Sequence, residues 1–596
     1  MKHNELLISF DILENEVKTV ELDRIYPLGN IDYCGDIEVE ISDDNTSFIK
    51  IDLADHSFND VTARYIKVTS SKNQKINIYL GLGYYCTRNE EFTKKFERRS
   101  GWTGADGIFS FNLDNEEDYS QENDRTLFVF GDTFFGATEG NKRIEPTAMV
   151  NNSLGYLEND EIKFVVNKDD KGHACSLFEP SEDMLKVGYL AKNLTSYKGV
   201  KEKPYVSSLD DERDVVIDFD LIERKNINKI RVVNFYDEPE LGTSNYNRGV
   251  KSLDLYTSLD SKEYVFVKKV ELELNEDGNK YNDIEVELDA RYVRFVIAKK
   301  DNVYSEVDNC LGLTKVYFYD EEGQLNEVRC KANQEFNYSL VKSWYWLQDG
   351  IRVKDKFYIY PLLIQEELNG IEGFEFKMDG VAKLVLPIEE GKVDYLKADM
   401  ETVSTLYKLV DDKEYIFPVA ITREGDYAYF YGYCNERSKF LRHLIVGRIE
   451  IEKIDDLNNL KFFDGNSFVR DVTKAKYLVD HISCEMSVQK IVEGENKGKC
   501  LAVFQYDTNG PKVAYAIGDS LVGPFTSPRI IYVTPEVEEI NKGTTYTYNA
   551  KAHLHLSSKK NILVSYNVND TSMAQNKLNY KIYHPRFLNF IDTSND

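Results

Sequence analysis

Hydrophobic and polar residues alternate with a period of two along most of this chain, the pattern of strands with one buried face. Asp36-Ile-Glu-Val-Glu-Ile-Ser, Phe48-Ile-Lys-Ile-Asp-Leu and Arg64-Tyr-Ile-Lys-Val-Thr alternate cleanly. With Ile76-Asn-Ile-Tyr-Leu they predict a small β-sandwich over residues 1–92. The charged stretch from Arg88 to Arg99 reads as a connector with a helical turn. A second run of strands lies within residues 185–321: Asp214-Val-Val-Ile-Asp-Phe, Ile230-Arg-Val-Val-Asn-Phe, Ser252-Leu-Asp-Leu-Tyr-Thr, Ile284-Glu-Val-Glu-Leu, Tyr292-Val-Arg-Phe-Val-Ile and Thr314-Lys-Val-Tyr-Phe-Tyr.

The remainder, residues 96–184 and 322–590, has strand patterns every 8–12 residues, with Asp-Gly turns at Asp106-Gly107, Asp349-Gly350, Asp379-Gly380 and Asp464-Gly465. Helical periodicity is nearly absent, so the unit is a sandwich, a barrel or a propeller. Four-strand blocks fall near residues 100–170, 338–395, 400–475, 480–535 and 545–590. The expected fold is therefore all-β: a five-bladed β-propeller, interrupted after its first blade by a sandwich and preceded by a smaller one.

Composition narrows the function. The 596 residues carry 74 Lys+Arg against 102 Asp+Glu, a net charge of −28. Such a chain repels phosphate backbones and anionic lipid, which argues against nucleic-acid and membrane-surface partners. The 40 Tyr and 32 Phe suit pleated surfaces. The eight cysteines form no CxxC pair and read as buried free thiols. The N-terminus lacks a signal-peptide pattern, so the expected location is cytoplasmic, or secreted if a leader has been removed.

The candidate chemistry starts at Ser100-Gly-Trp-Thr-Gly-Ala-Asp-Gly107 and Thr126-Leu-Phe-Val-Phe-Gly-Asp-Thr-Phe-Phe-Gly136. Read as successive antiparallel strands joined by a polar hairpin from Asn112 to Arg125, they bring Asp106 and Asp132 to one end of the sheet. Two carboxylates at one rim suit glycosidic-bond hydrolysis, one giving a proton to the leaving oxygen while the other attacks or activates water. The same residues also serve as turn formers through Asx hydrogen bonds. Around them stand Asn151 and Asn152 as hydroxyl binders, and Trp344, Trp346 and Asp349 in Ser343-Trp-Tyr-Trp-Leu-Gln-Asp-Gly350. Trp102 is the third of three tryptophans, and all three lie near an acid in sequence. Glu485 precedes an alternating strand. On a continuous strand, Asn549, Lys551, His553 and His555 would share a face, and His553-x-His555 could share a metal. No P-loop, Gly-x-Ser-x-Gly elbow or HExxH is present.

Two resemblances extend this reading. The strand order of residues 185–321, with V-K-S-L-D-L-Y-T-S-L-D and A-R-Y-V-R-F-V-I, resembles the discoidin (coagulation factor type C) jelly roll, and the first 92 residues look like a shortened relative. The pair T-G-A-D-G and L-F-V-F-G-D-T-F-F-G resembles the opening blade of five-bladed propeller glycoside hydrolases that include the retaining endo-D-arabinanases. Gly518-Asp-Ser-Leu-Val-Gly-Pro-Phe525 is similar to the S-x-x-G-P-F turn of sugar-processing propellers. The resemblance implies Asp106 as nucleophile, Asp132 as general acid/base, His553 near the funnel centre, a carbohydrate substrate and no required cofactor. A retaining enzyme would hold its carboxyl groups about 5–5.5 Å apart. The alternatives are a carbohydrate-binding protein without catalysis, and a metal-dependent sugar deacylase using His553, His555 and an acid.

Overall fold

The computed structural model describes residues 5–114, 125–197, 203–237, 246–304, 308–371, 374–492, 494, 496–558 and 561–593. The expected hairpin between Asn112 and Arg125 lies mostly outside these residues. Antiparallel strands dominate, and the protein is all-β. Among the described residues no helix is long and apolar enough to cross a membrane.

The first sheet has six strands between Leu6 and Leu80. Its long strand Val17–Asp32 pairs with Thr62–Ser70 through its first half and with Gln74–Leu80 through its second. The alternating residues noted above supply its core: Val39, Ile41, Ile66, Val68, Ile76 and Ile78 are all buried. The connector contains one helical turn, Glu90–Lys94, capped by the Asn89 side chain.

An eight-stranded sheet is built on Val215–Asn234, which pairs with Asn282–Ile297, Gly312–Asp320 and Arg329–Ala332. It therefore reaches Ala332 rather than ending near residue 321. Its apolar core is separate, formed by residues such as Phe219, Val232, Leu255 and Phe295.

Five further groups of strands make up the rest, one before the eight-stranded sheet in sequence and four after it. The first comprises Phe109–Asn112, Arg125–Phe130, Ser153–Glu158 and Glu161–Val165, with Ser100–Ala105, Thr133–Glu139 and Lys142–Val150 as an adjoining three-stranded sheet. The second runs from Ser343 to Thr402, the third from Tyr407 to Val469 and the fourth from Met486 to Val533. The fifth contains Thr545–Ala552, Asn561–Asp570 and Pro585–Asp592, and takes its last strand, Tyr84–Arg88, from the start of the chain.

Neighbouring groups share cores. Leu127 of the first packs in one cluster with Tyr345 and Leu384 of the second. The second, third and fourth share another, containing Ile351, Phe430 and Phe504. Val503 and Tyr515 of the fourth join Tyr84, Val564 and Leu588 of the fifth. Leu563 and Phe587 of the fifth pack with Phe128 and Phe130 of the first. The side chains named in this succession are buried and aliphatic or aromatic, so their removal from water helps hold neighbouring groups together.

All eight cysteines are free; Cys86, Cys310, Cys434 and Cys500 are buried as expected, whereas Cys34 is exposed.

Tyr84 is 1 % exposed and meets Tyr515 edge-on. Tyr84→Ala should therefore cost about 3–5 kcal/mol through the lost ring and the cavity it leaves. Tyr85→Ala, on the half-buried face, should cost much less. Thermal unfolding of the two variants measures the difference; equal melting temperatures would show that the borrowed strand is not held by its buried face.

Candidate active site

Asp106 follows the strand Ser100–Ala105, and Asp132 lies in the two-residue turn between Arg125–Phe130 and Thr133–Glu139. Two backbone hydrogen bonds join them: Asp106 N–H donates to the Asp132 carbonyl at 3.1 Å, and Gly131 N–H donates to the Asp106 carbonyl at 3.0 Å. A Cβ at position 131 would stand 2.6 Å from Asp106 Oδ1, so any other residue there would force the Asp106 carboxyl to shift. Gly107 has φ +58°, a conformation that favours glycine where the chain turns beneath the acids.

Elements distant in sequence hold this segment in place. Asn567 Nδ2 donates to the Ala105 carbonyl at 3.1 Å, and the His584 ring meets the Thr103 carbonyl at 2.6 Å. The Arg143 guanidinium, also buried, donates to the Thr103 carbonyl at 2.7 Å.

Each carboxylate accepts two side-chain hydrogen bonds on one oxygen. Asp106 Oδ2 receives the hydroxyls of Tyr548 at 2.8 Å and Tyr583 at 3.1 Å. Asp132 Oδ1 receives Asn151 Nδ2 at 3.0 Å and the Trp346 indole N–H at 2.9 Å. Among the described residues no hydrogen bond reaches Asp106 Oδ1 or Asp132 Oδ2. One oxygen of each acid is thus available to a reacting group.

A second layer of charge lies beside them. Lys551 Nζ pairs with Glu485 Oε2 at 2.5 Å and sits 3.8 Å from the centre of the Phe109 ring. Gln348 Nε2 reaches Glu485 Oε1 at 3.4 Å. Asp349 accepts the backbone N–H groups of Gly350 at 2.9 Å and Ile421 at 2.6 Å.

The electrostatics follow from this crowding. Burial, then repulsion from Asp132 and Glu485, pushes Asp106 well above the usual carboxylate range against the pull of the two phenols. Burial raises Asp132 to about 6, opposed by Asn151 and Trp346. Burial also raises Asp349 to about 7, opposed by its two backbone donors and by Lys551. Burial and the Asp106 charge keep the Tyr548 and Tyr583 phenols protonated, so they remain donors.

The structure brings together Asp106, Asp132, Asn151 and Trp346, with Asp349 and Glu485 close by. Trp344 meets Trp346 edge-on at 6.4 Å. Several expected binding residues have other tasks. Trp102 is 1 % exposed and stacks on Phe164 at 4.3 Å, so its ring is core and not a sugar platform. Asn152 is fully buried, donating to the Phe178 and Tyr345 carbonyls and accepting from Phe178 N–H; it ties the first group of strands to the second. Asn549 is buried at a bulge with φ +60°, which breaks the alternation expected for residues 549–555.

His553 is buried with Nδ1 at 2.7 Å from Ser110 Oγ and Nε2 at 2.8 Å from Ser565 Oγ. Both ring nitrogens are engaged, and burial followed by the charges of His555 and Lys551 depresses its basicity. His555 belongs to the short helix Leu554–Leu556 and not to the strand, so the two rings do not form a strand-face pair. Among the described residues no group of three or more His, Cys, Asp or Glu is placed to hold a metal.

Tyr548, Tyr583 and Gln348 were not anticipated as site residues, and Lys551 was anticipated only as a face neighbour. Tyr583 has φ +72° in the turn before Pro585–Asp592, a placement with no periodic signature.

The family model described as "Domain of unknown function (DUF5005)" matches residues 314–592. No curated protein matches this sequence. Among solved structures, the chain is similar to a Bacteroides ovatus protein named "putative hydrolase", at 12 % identity and TM-score 0.45, over 85 % of this chain and 90 % of that one. It is similar to the module CBM32-3 of a family 31 glycoside hydrolase from Clostridium perfringens, at 21 % identity and TM-score 0.17, over 24 % of this chain and 96 % of that one. A protein of unknown function from Dyadobacter fermentans is similar at 11 % identity and TM-score 0.21, over 62 % of this chain and 99 % of that one.

A carboxyl whose pKa is raised by folding binds its proton more tightly in the folded state than in the unfolded one. Its contribution to stability is complete below about pH 4 and is lost as pH rises through about 6 for Asp132 and about 7 for Asp349. Asp132→Asn should therefore gain up to about 3 kcal/mol at pH 8 relative to its effect at pH 4. Thermal unfolding at the two pH values tests this; an effect of Asp132→Asn that does not change with pH would rule out a strained carboxylate.

Proposed function

We propose that this protein is a glycoside hydrolase acting on a polysaccharide or glycan through Asp106 and Asp132. In this reading the five strand groups are the blades of a five-bladed propeller, interrupted by a jelly roll and preceded by a smaller sandwich. The succession of shared cores, in which the fifth group packs against the first, supports that architecture. The resemblance to the endo-D-arabinanase type rests on the two motifs around the acids.

The observation that carries the function is the pair itself: two buried carboxyls on hydrogen-bonded segments, each with one oxygen anchored by two donors and the other unengaged. Repulsion across such a pair keeps one proton in it near neutral pH. Asp106 feels Glu485 as well as Asp132, so it holds that proton. We therefore assign Asp106 the general acid's role and Asp132 the nucleophile's, the reverse of the assignment that the motif resemblance implies.

In the first step Asp106 transfers its proton to the glycosidic oxygen as the C–O bond breaks, while Asp132 Oδ2 bonds to the anomeric carbon. In the second, Asp106 takes a proton from water, whose oxygen displaces Asp132 and regenerates both groups. Tyr548 and Tyr583 stabilise Asp106 each time it is left anionic. Asn151 and Trp346 fix Asp132 Oδ1, leaving Oδ2 to react. The backbone link between the segments favours a short carboxyl separation and hence retention of configuration.

Asp106→Asn and Asp132→Asn should each lower kcat by about a thousandfold on the correct glycan while the protein stays folded. Proton NMR of the first product should show the substrate's own anomer. Azide should rescue Asp132→Asn with inversion and Asp106→Asn with retention; the opposite pattern would exchange the roles. Full turnover in either variant across a glycan panel would refute the two-carboxylate mechanism.

A further inference from the structure

Tyr546 stands two residues before Tyr548 on the strand Thr545–Ala552. The bulge in this strand comes only after Tyr548, so the two side chains share a face. Their rings meet at 5.3 Å. Same-face residues are about 7 Å apart along a strand, so Tyr546 extends by one step the row of phenols that begins at Asp106. Burial falls along this row. Tyr583 is 3 % exposed and Tyr548 9 %, whereas Tyr546 is half-buried and borders solvent.

The polar groups around the two acids are almost all spent. Tyr548 and Tyr583 hold Asp106 Oδ2, and Asn151 and Trp346 hold Asp132 Oδ1. Asn569, opposite Tyr546 in the ladder, turns Nδ2 to the Tyr548 oxygen at 3.3 Å. Its Oδ1 receives Asn576 Nδ2 at 2.8 Å and the Asp570 N–H at 2.7 Å. The Tyr546 hydroxyl is different. Among the described residues it makes no hydrogen bond, and unlike the buried, unpaired hydroxyls of Tyr84 and Tyr360 it is open to solvent.

Its surroundings keep it a donor. Burial, then Asp106, Asp570, Cys484 and Asp132, raise the Tyr546 phenol above its ordinary range, so it carries its hydrogen at neutral pH. Both reacting acids act on it, and Asp106 acts more strongly than Asp132. With Asp106 as the general acid, the oxygen it protonates belongs to the departing sugar, which therefore lies on the Asp106 side of the bond.

We propose that Tyr546 contacts this departing sugar, donating its phenol hydrogen to a hydroxyl or ring oxygen of the unit that leaves. The assignment rests on the Asp106–Asp132 reading and gives it a contact residue beyond the groups that anchor the acids.

The test compares two substrates of the full-length protein: an oligosaccharide cleaved in the glycan panel, and the 4-nitrophenyl glycoside of the same glycone, whose leaving group has no sugar oxygen. Tyr546→Phe keeps the ring and should lower kcat/KM on the oligosaccharide about tenfold, while the aryl glycoside changes by less than about twofold. Its melting temperature and pH profile should match the wild type, because no bond to either acid is lost. Tyr548→Phe, which removes a donor from Asp106, should instead move the basic limb of the profile to higher pH on both substrates. An unchanged rate on the oligosaccharide, or an equal loss on both substrates, would overturn the role of Tyr546 alone. Failure of the wild type to cleave any glycan, or full turnover by Asp132→Asn, would refute the two-carboxylate reading itself and this contact with it.

Discussion

The arrangement of the candidate site depends on one constraint: two acidic residues are locked side by side by reciprocal backbone hydrogen bonds. The Asp106 and Gly131–Asp132 segments cannot separate without breaking both links. Their charges must then be managed in place. Two phenols on Asp106, an amide and an indole on Asp132, and the Lys551 ammonium on neighbouring Glu485 are all answers to that demand. The glycine at 131 is the steric counterpart, since a Cβ there would push Asp106 Oδ1 from its position.

These answers come from different parts of the chain. Tyr548 and Lys551 lie on one strand, but a bulge separates them, so that one serves Asp106 and the other Glu485. Tyr583 arrives through a left-handed turn, and Trp346 from the second group of strands. The ordinary price of such convergence is strain: buried acids oppose folding at neutral pH, and the apolar cores shared between successive strand groups must offset it.

The strands themselves were legible because alternation is a local signal: Val39, Ile41, Ile66 and Val68 are buried as their period-two pattern predicts. Asp106 and Asp132 were legible because each sits at the end of a clear strand, where the hairpin rule places them together. What alternation does not reveal is which distant strand is a neighbour. It left the pairing of Tyr84–Arg88 with Pro585–Asp592 unseen, and with it the phenol donors. Trp102 was misread for a related reason. Adjacency to an acid in sequence says nothing of the opposite face, where Phe164 stacks on the ring. His553 likewise looked available until Ser110 and Ser565 were placed on its two nitrogens.

The strand borrowed from the beginning of the chain also has a kinetic meaning. Tyr84–Arg88 leaves the ribosome early, yet its partner Pro585–Asp592 lies on the order of 500 residues later. At typical rates of synthesis the wait is roughly 25–100 s. Throughout that interval the early strand lacks its late partner and the contacts that bury Tyr84, while the eight-stranded sheet lying between them in sequence has its own core and can fold first. The order of manufacture therefore runs against the order of assembly: a late strand admits an early one, and only then do Asp106 and its Tyr583 donor meet.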